Sequence, residues 1–304
     1  MREFSFGNAM LHFARTDGPP GFVWKFVLSY GFGLILFFVA YAMVFGGTAF
    51  ALMSAQGDPE VAVSALEGNI GIIALAYVLI LPLMLLFYAV FEAAFQRRYV
   101  RSDGFKLRLG GDEWRLFVVY LIWFAFYILL YVFAIALVAG FGGGLAGVNE
   151  NPAGIGIGLT LAVLVAMGAW IYFAVRFSPA AALTIRDRAI RFQSAWRVTR
   201  GRFWTMLGVY LLMLVAAMVV YLIVLAVFGL VFAGMMAAAG GGDDPSVAFG
   251  AFSNPATLIS VGLIYLLGFF ATGWFMFVWG GPAALAARTD PDHAGMDDPA
   301  GAFR

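Results

Sequence analysis

The sequence contains no cysteine and only two histidines. Without cysteine there is no disulfide framework, no thiol nucleophile and no cysteine-based metal site. His12 and His293 lie near opposite ends of the chain, and we interpret both as exposed residues rather than as ligands or general bases. No group of histidine, aspartate and glutamate has the spacing of metal ligands. We therefore expect a protein that is not an enzyme and that needs no cofactor or metal.

Charge is scarce as well: 12% of the residues are charged and 63% are hydrophobic, with a mean hydropathy of +0.93. Soluble proteins carry about twice that share of charge, so the composition indicates a membrane protein. No apolar run has an ionisable residue near its centre, which argues against ion-coupled transport because a transported charge needs a partner there. The glycine runs at 142–144 and 240–242 lack the Gly-Lys-Ser/Thr of a phosphate-binding loop.

Asp243 and Asp244 follow the second glycine run directly. Two adjacent carboxylates in a loop are usually solvated, and this is the interpretation that we favour. A hard cation is the alternative ligand for this loop, although calcium requires more oxygen ligands than two carboxylates supply.

Long apolar runs occur six times, each close to the ~20 residues that cross a hydrocarbon core. The predicted spans are 22–45, 70–91, 116–139, 155–175, 204–233 and 256–279. They form a membrane domain over 22–287, which follows a cytoplasmic amphipathic segment at 1–21. Residues 288–304 are rich in aspartate and poor in apolar residues, which predicts a disordered cytoplasmic tail. The predicted fold class is an all-α membrane protein with six transmembrane helices.

Basic residues are distributed unevenly between the connecting segments. The loops 46–69, 140–154 and 234–255 contain no lysine or arginine. All eighteen basic residues lie in or beside the amino-terminal segment, the loops 92–115 and 176–203, and the tail. Because cytoplasmic loops carry an excess of lysine and arginine, we expect both termini and the two basic loops to be cytoplasmic.

Aromatic residues recur at a fixed interval along the chain. Trp24, Trp114 and Trp204 are 90 residues apart, each at the cytoplasmic end of a predicted span, and a tyrosine follows six residues after each. The tripeptide Asn-Pro-Ala at 151–153 returns 103 residues later at 254–256. The pattern predicts three hairpins in the same orientation, as in parallel transporter repeats. The alternative is that tryptophan and tyrosine favour interfaces and that their even spacing is accidental.

The segment 176–204 carries seven of the basic residues against a single acid. At about 100° per residue, its apolar and aromatic residues fall on one stripe and most arginines point away. This predicts an amphipathic interfacial helix at about 178–200, with aromatic rings below and guanidinium groups beside lipid phosphates. We predict lipid-headgroup contact by Arg186, Arg191, Arg197, Arg200 and Arg202. The predicted interfacial anchors are Trp24, Trp114, Phe192, Trp196 and Trp204.

Other interpretations of this basic segment are open. Cytoplasmic arginines often serve membrane topology alone. The aromatic stripe is also suited to packing on a protein partner or on the underside of the spans themselves. We expect the membrane lipids to be the main partner, and we expect no binding to nucleic acid.

The residues from Ser194 to Trp204, SAWRVTRGRFW, run directly into a span rich in leucine and valine. This segment, within a similarity that is best over 176–235, resembles a family of bacterial six-span proteins. The family is similar to the membrane domain of glycerophosphoryl diester phosphodiesterase and includes uncharacterised inner-membrane relatives. The chain shows neither the soluble phosphodiesterase barrel nor its metal-binding acids and histidines. The resemblance therefore implies an all-helical protein of the bacterial inner membrane without that catalytic activity.

Two hypotheses of different classes describe what such a protein does. The first is a non-catalytic, scaffold-like or envelope-associated membrane protein whose basic amphipathic elements contact anionic lipids or a membrane protein partner. The second is a channel or transporter for an apolar or amphipathic substrate. A lipid-sized cavity between hairpins favours transport, whereas a dry and tightly packed bundle favours the first hypothesis.

Overall fold

The computed structural model describes residues 3–16, 18–54, 59–149, 152–238 and 255–290. The elements in chain order are α1 (Phe6–Met10), a 3-10 turn (His12–Ala14), α2 (Phe22–Ser54), α3 (Pro59–Arg101), α4 (Gly111–Asn149), α5 (Pro152–Phe177), α6 (Ala180–Asp187), α7 (Ser194–Val198), α8 (Phe203–Ala238) and α9 (Pro255–Arg288). No strand occurs within these ranges. The predicted all-α class is confirmed.

Six of these helices are long and apolar enough to cross a membrane, namely α2, α3, α4, α5, α8 and α9. Each predicted span lies inside one of them, so the chain is an integral multi-pass membrane protein. The helices continue past the apolar runs because their terminal turns carry suitable residues. Pro59, Pro152 and Pro255 stand at first helical positions, where the missing N–H costs nothing. Arginine ends α3 and α9, where a positive charge complements the helix dipole.

The chain divides into two compact units. Unit 1 comprises Met1–Gly18, Leu85–Val209 and Gly280–Arg304, and unit 2 comprises Pro19–Met84 and Tyr210–Trp279. Unit 1 therefore collects the amino-terminal segment, both basic loops and the end of α9. These are the segments that the charge distribution assigns to one side of the membrane.

Unit 2 contains an aromatic contact between α2 and α9. The rings of Phe22 and Phe26 lie 6.0 and 5.9 Å from the ring of Phe277, and all three side chains are buried. Gly273 permits the close approach, because a Cβ there would lie 3.0 Å from Cδ1 of Tyr30. Small residues at helix contacts bring backbones together in this way in membrane proteins.

Several predictions concern residues outside the described ranges. His293, the pair Asp243 and Asp244, and the asparagines at 151 and 254 of the repeated tripeptide lie there, as does the chain from 291 onward. The threefold hairpin repeat stays a prediction.

The first residues of the predicted disordered tail are part of the fold. Arg288 ends α9, and Thr289 and Asp290 follow it in ordered contact with unit 1. Asp290 is only 2% exposed. The prediction of a disordered tail is therefore wrong for 288–290, because arginines elsewhere in unit 1 bind this stretch.

Candidate lipid-headgroup interface

The segment between α5 and α8 does not form one amphipathic helix. It forms two short helices, α6 and α7, separated by a turn at 188–193. Arg188 ends α6 in the left-handed conformation, with φ 52° and ψ 31°. The backbone N–H of Arg191 then donates to Oγ1 of Thr184 at 3.2 Å, which folds the turn back against α6. The prediction of a continuous helix over 178–200 is wrong because α6 ends at Asp187 and α7 begins only at Ser194.

α6 is a core helix rather than an interfacial one. Every residue from Ala180 to Ile185 is buried. The carbonyl of Ile185 accepts a hydrogen bond from Arg101 of α3, and α6 packs against α4. The apolar stripe that the sequence shows is therefore covered by protein at this end of the segment.

Arg186 is held entirely by groups of unit 1. Its Nε donates to Asp187 at 2.7 Å, and its Nη2 lies 3.3 Å from Oδ2 of Asp290. Its Nη1 donates to the carbonyl of Ala287 in α9. The guanidinium joins α6 to the end of α9, so the structure does not present Arg186 as a headgroup ligand.

Arg202 has a similar internal role. It donates to the hydroxyl of Thr289 at 2.9 Å and to the carbonyl of Thr289 at 2.8 Å. The guanidinium also lies 5.1 Å from the centre of the Phe4 ring. Burial lowers the pKa of Arg202 from its ordinary value, and the nearby carboxylate of Asp290 opposes that shift. The residue fastens the amino-terminal segment and the end of α9 to the start of α8.

The remaining predicted headgroup ligands lie at the surface. Arg197 and Arg200 are exposed, as is Arg188 in the turn. Arg191 is 48% exposed on its side chain and forms an ion pair with Asp187, with Nε 3.2 Å from Oδ2. The seven arginines of the segment thus divide into an internal set and an exposed set, which the sequence pattern does not distinguish.

The two predicted anchors in this segment pack on the transmembrane helices. The ring of Phe192 stacks on Phe177 at 4.6 Å and meets Trp123 edge-on at 5.5 Å. The ring of Trp196 lies 5.7 Å from Tyr172 and 5.6 Å from Phe177. These contacts correspond to the alternative in which the stripe packs on the underside of the spans, with part of Trp196 left exposed.

The other three predicted anchors project outward. Trp24, Trp114 and Trp204 are 70%, 52% and 79% exposed. Tryptophan at such positions in a membrane protein is typical of the headgroup level, where an apolar ring meets a polar N–H. Their exposure is compatible with the predicted anchoring, which stays a prediction.

Arg176, at the end of α5, lies in an aromatic enclosure that sequence reasoning missed. Its guanidinium carbon is 5.4, 5.1 and 5.2 Å from the rings of Tyr172, Trp196 and Phe203. Its backbone carbonyl accepts from the hydroxyl of Thr199 at 3.2 Å. Cation–π attraction thus replaces hydrogen bonds for a charge at the end of a span. The signal in the sequence was a lone arginine one turn after a tyrosine, which is too weak to predict an enclosure.

A buried ion-pair network joins α3 to the start of α4, and the sequence did not predict it. Glu113 accepts from Arg97, and both side chains are buried. Asp112 accepts from Arg101 at 2.9 Å and from Arg115 at 3.2 Å. In the sequence analysis these arginines served only as markers of topology.

His12 is buried rather than exposed. Its ring stacks on that of Tyr99 with the centroids 5.4 Å apart, and its side chain is 4% exposed. The amino-terminal segment packs beside Gly281 of α9, where a Cβ would lie 3.3 Å from the backbone nitrogen of Phe13. The prediction that His12 is exposed is therefore wrong. The amino-terminal segment that carries it is only moderately polar, and it packs into the core of unit 1.

Glu92 of α3 forms a smaller polar cluster with two neighbours. Its carboxylate accepts from the hydroxyl of Tyr120 in α4 and from the amide of Gln96 at 3.2 Å. The cluster is an interhelical hydrogen bond of the kind that joins membrane helices.

No protein-family model matches the chain, and no curated protein or solved structure matches it significantly.

Proposed function

We propose that the chain is a non-catalytic, scaffold-like or envelope-associated protein of a bacterial inner membrane. Both termini and the two basic loops lie in the cytoplasm, and exposed arginines there contact the headgroups of anionic lipids or a partner protein. Residues 194–204 resemble the membrane domain of glycerophosphoryl diester phosphodiesterase, and we include this resemblance in the proposal. It supports the bacterial inner membrane as the location.

The observation that carries the proposal is the division of the arginines. The guanidinium groups of Arg186 and Arg202 form hydrogen bonds within unit 1. The side chains of Arg188, Arg197 and Arg200, in the same short segment, are exposed. Each exposed basic residue near an anionic surface contributes about 1 kcal/mol, and salt weakens that contribution. The exposed set is therefore the part of the segment suited to lipid phosphate.

The arrangement of unit 1 supports the proposed orientation. The amino-terminal segment touches the start of α8 through Phe4 and Arg202, and the end of α9 touches α6 through Ala287 and Arg186. The beginning of the chain, the second basic loop and 288–290 are thus close together. Since all of them carry basic residues, the positive-inside bias acts on a single cluster.

Lipid selectivity of the reconstituted full chain tests this proposal. Spin-labelled phosphatidylglycerol should associate more strongly than spin-labelled phosphatidylcholine at low salt, and the preference should shrink at high salt. Arg197→Gln with Arg200→Gln should reduce the preference by up to about thirtyfold at low salt, given about 1 kcal/mol for each of the two charges. Arg197→Lys with Arg200→Lys is the matched control and should retain it. Equal association of both lipids with the wild-type protein would reject the proposal.

An apolar groove in unit 2 favours a second candidate function, a transporter or channel for an apolar or amphipathic substrate. The groove lies between α8 and α9, has a volume of about 560 Å³, and is lined mainly by aliphatic and aromatic side chains. Its size falls in the range of ligand pockets. Proteoliposomes should then accelerate the transbilayer movement of a fluorescent phospholipid, measured by dithionite quenching. A rate equal to that of protein-free vesicles would remove this candidate.

A further inference from the structure

A second apolar groove lies in unit 1, between α4 and α5. Its volume is about 550 Å³, and it is open along one side. Ala134, Ala162 and Ala166 contribute to its lining, and these small side chains leave space between the two helices. Tyr127 and Trp170 line one end, and Val138 lines the other.

The dimensions of this groove match one lipid chain. The α4 residues from Tyr127 to Val138 cover about 16 Å of helix axis. The hydrocarbon core of a bilayer is about 30 Å thick, so each leaflet contributes about half of that. The groove therefore has the length of one acyl chain in one leaflet.

The end of the groove at Tyr127 lies near the turn that carries Arg188 and Arg191. The ring of Tyr127 stacks on Trp123 at 5.3 Å, and Trp123 meets Phe192 at 5.5 Å. Phe192 follows Arg191 directly, and Arg188 lies in the same turn. Among the residues that the structure describes, no charged side chain lines the groove itself. A ligand that fits is consequently apolar along its length and negatively charged at this end.

Arg188 occupies the left-handed position that ends α6 and carries its guanidinium at the surface of the turn. Its φ of 52° is in the left-handed region, which glycine adopts more readily than a residue with a side chain. The side chain of Arg188 is exposed. The exposed guanidinium, rather than the backbone conformation, is what makes Arg188 available to a phosphate group.

We propose that the groove between α4 and α5 holds one acyl chain of an anionic phospholipid, with its phosphate beside Arg188 and Arg191. The phospholipid is taken from the leaflet on the side of α6 and α7. This inference rests on the proposed function and adds to it a defined site, in which a groove and a charge act together on one molecule.

The test uses the full chain in detergent with phosphatidylglycerol and phosphatidylcholine of identical acyl chains, and native mass spectrometry counts the bound lipids. Ala134→Phe fills the groove and should lower retention of phosphatidylglycerol about fivefold, because acyl packing is lost. Ala136→Phe is the matched control: Ala136 is exposed on the same helix outside the groove, so retention should be unchanged. Thermal unfolding of both variants checks that each is folded.

A second pair of variants separates the headgroup from the chain. Arg188→Gly preserves the left-handed turn and, combined with Arg191→Gln, removes both charges. Preference for phosphatidylglycerol over phosphatidylcholine should be lost, while phosphatidylcholine remains bound to the open groove.

The outcomes distinguish this site from the broader proposal. Lost headgroup preference in the arginine variants, with Ala134→Phe and Ala136→Phe both like wild type, would overturn the groove site and leave the proposed function standing. Absence of any phosphatidylglycerol preference in wild type would overturn both. A wild-type dimer peak that Ala134→Phe abolishes, without loss of lipid, would assign the groove to a second copy of the chain and overturn the lipid site.

Discussion

The two units of this protein use different interactions to hold helices together. Every buried polar or charged residue among the side chains that the structure describes belongs to unit 1, including Arg97, Glu113 and Asp290. Unit 2 relies on aromatic contacts and glycine-mediated approach between α2 and α9. Helix packing therefore depends on buried polar and charged groups in unit 1 and on aromatic contacts and small residues in unit 2.

The two units differ because their side chains have different surroundings. Lipid gives apolar side chains no advantage in packing on one another, so close van der Waals fit and small residues dominate between membrane spans. Helix ends and loops instead carry charged groups, whose burial requires a paired partner. Unit 1 contains those ends and loops, and its arginines form ion pairs accordingly.

The largest expected effect comes from breaking the buried pair of unit 1. Glu113→Gln should lower the free energy of unfolding by about 3 kcal/mol, because it removes the nearer carboxylate from the buried Arg97 guanidinium and leaves only Asp112, at 3.9 Å. Denaturant or thermal unfolding in detergent measures this change. Adding Arg97→Met should restore part of the loss, and equal destabilisation in the single and double variants would show that the ion pair is not the cause.

A smaller loss is expected from releasing the end of α9. Arg186→Gln removes charge-assisted hydrogen bonds to Asp187, Asp290 and the carbonyl of Ala287. We expect a loss of about 2 kcal/mol in unfolding free energy, the typical value for bonds to charged groups. Protease sensitivity near 288–290 should increase as well. Arg197→Gln is the control and should stay within about 0.5 kcal/mol of wild type, as surface substitutions do.

Unit 2 should respond to crowding rather than to charge. Gly31→Ala places a Cβ 2.2 Å from Cδ1 of Phe270, and the overpacking should cost about 1–3 kcal/mol. Gly46→Ala is the matched control, since nothing lies within 4 Å of a Cβ there. Unfolding of the two variants in the same detergent measures the difference. A loss for Gly46→Ala as large as that for Gly31→Ala would contradict close packing at Phe270.

The smallest expected effect is a gain in stability at the turn of unit 1. Arg188→Gly relieves a left-handed conformation and should raise the melting temperature slightly, equivalent to about 1 kcal/mol. Arg188→Ala keeps the strain while removing the guanidinium, so it should show no gain. Equal melting temperatures for the two variants would indicate that the backbone at Arg188 is unstrained.

Much of the fold could be predicted from the sequence, because a span is a local property. An apolar run such as 204–233 is recognisable by its length and hydropathy alone, and α8 contains it. The amphipathic helix at 178–200 could not be predicted in the same way. Its apolar residues do recur with helical spacing. One continuous helix and two short helices joined by a turn give the same spacing in a sequence.

The candidate site shows the same limit at single residues. Arg186 and Arg197 are indistinguishable in sequence, since both stand in one basic segment beside apolar neighbours. Asp290, which binds Arg186, is 104 residues away, and no local pattern connects the two. Arg197, in contrast, is exposed.

The sequence by itself determined that this protein is helical, crosses the membrane repeatedly and concentrates its basic residues in a few segments, because helix length and hydrophobicity are set by neighbouring residues. Only the tertiary structure decided which arginines are internal, which aromatic rings cover them and where the chain turns back on itself. Those outcomes depend on charged groups finding partners far along the chain, since burial of a guanidinium that has neither a carboxylate, a carbonyl nor an aromatic partner is costly.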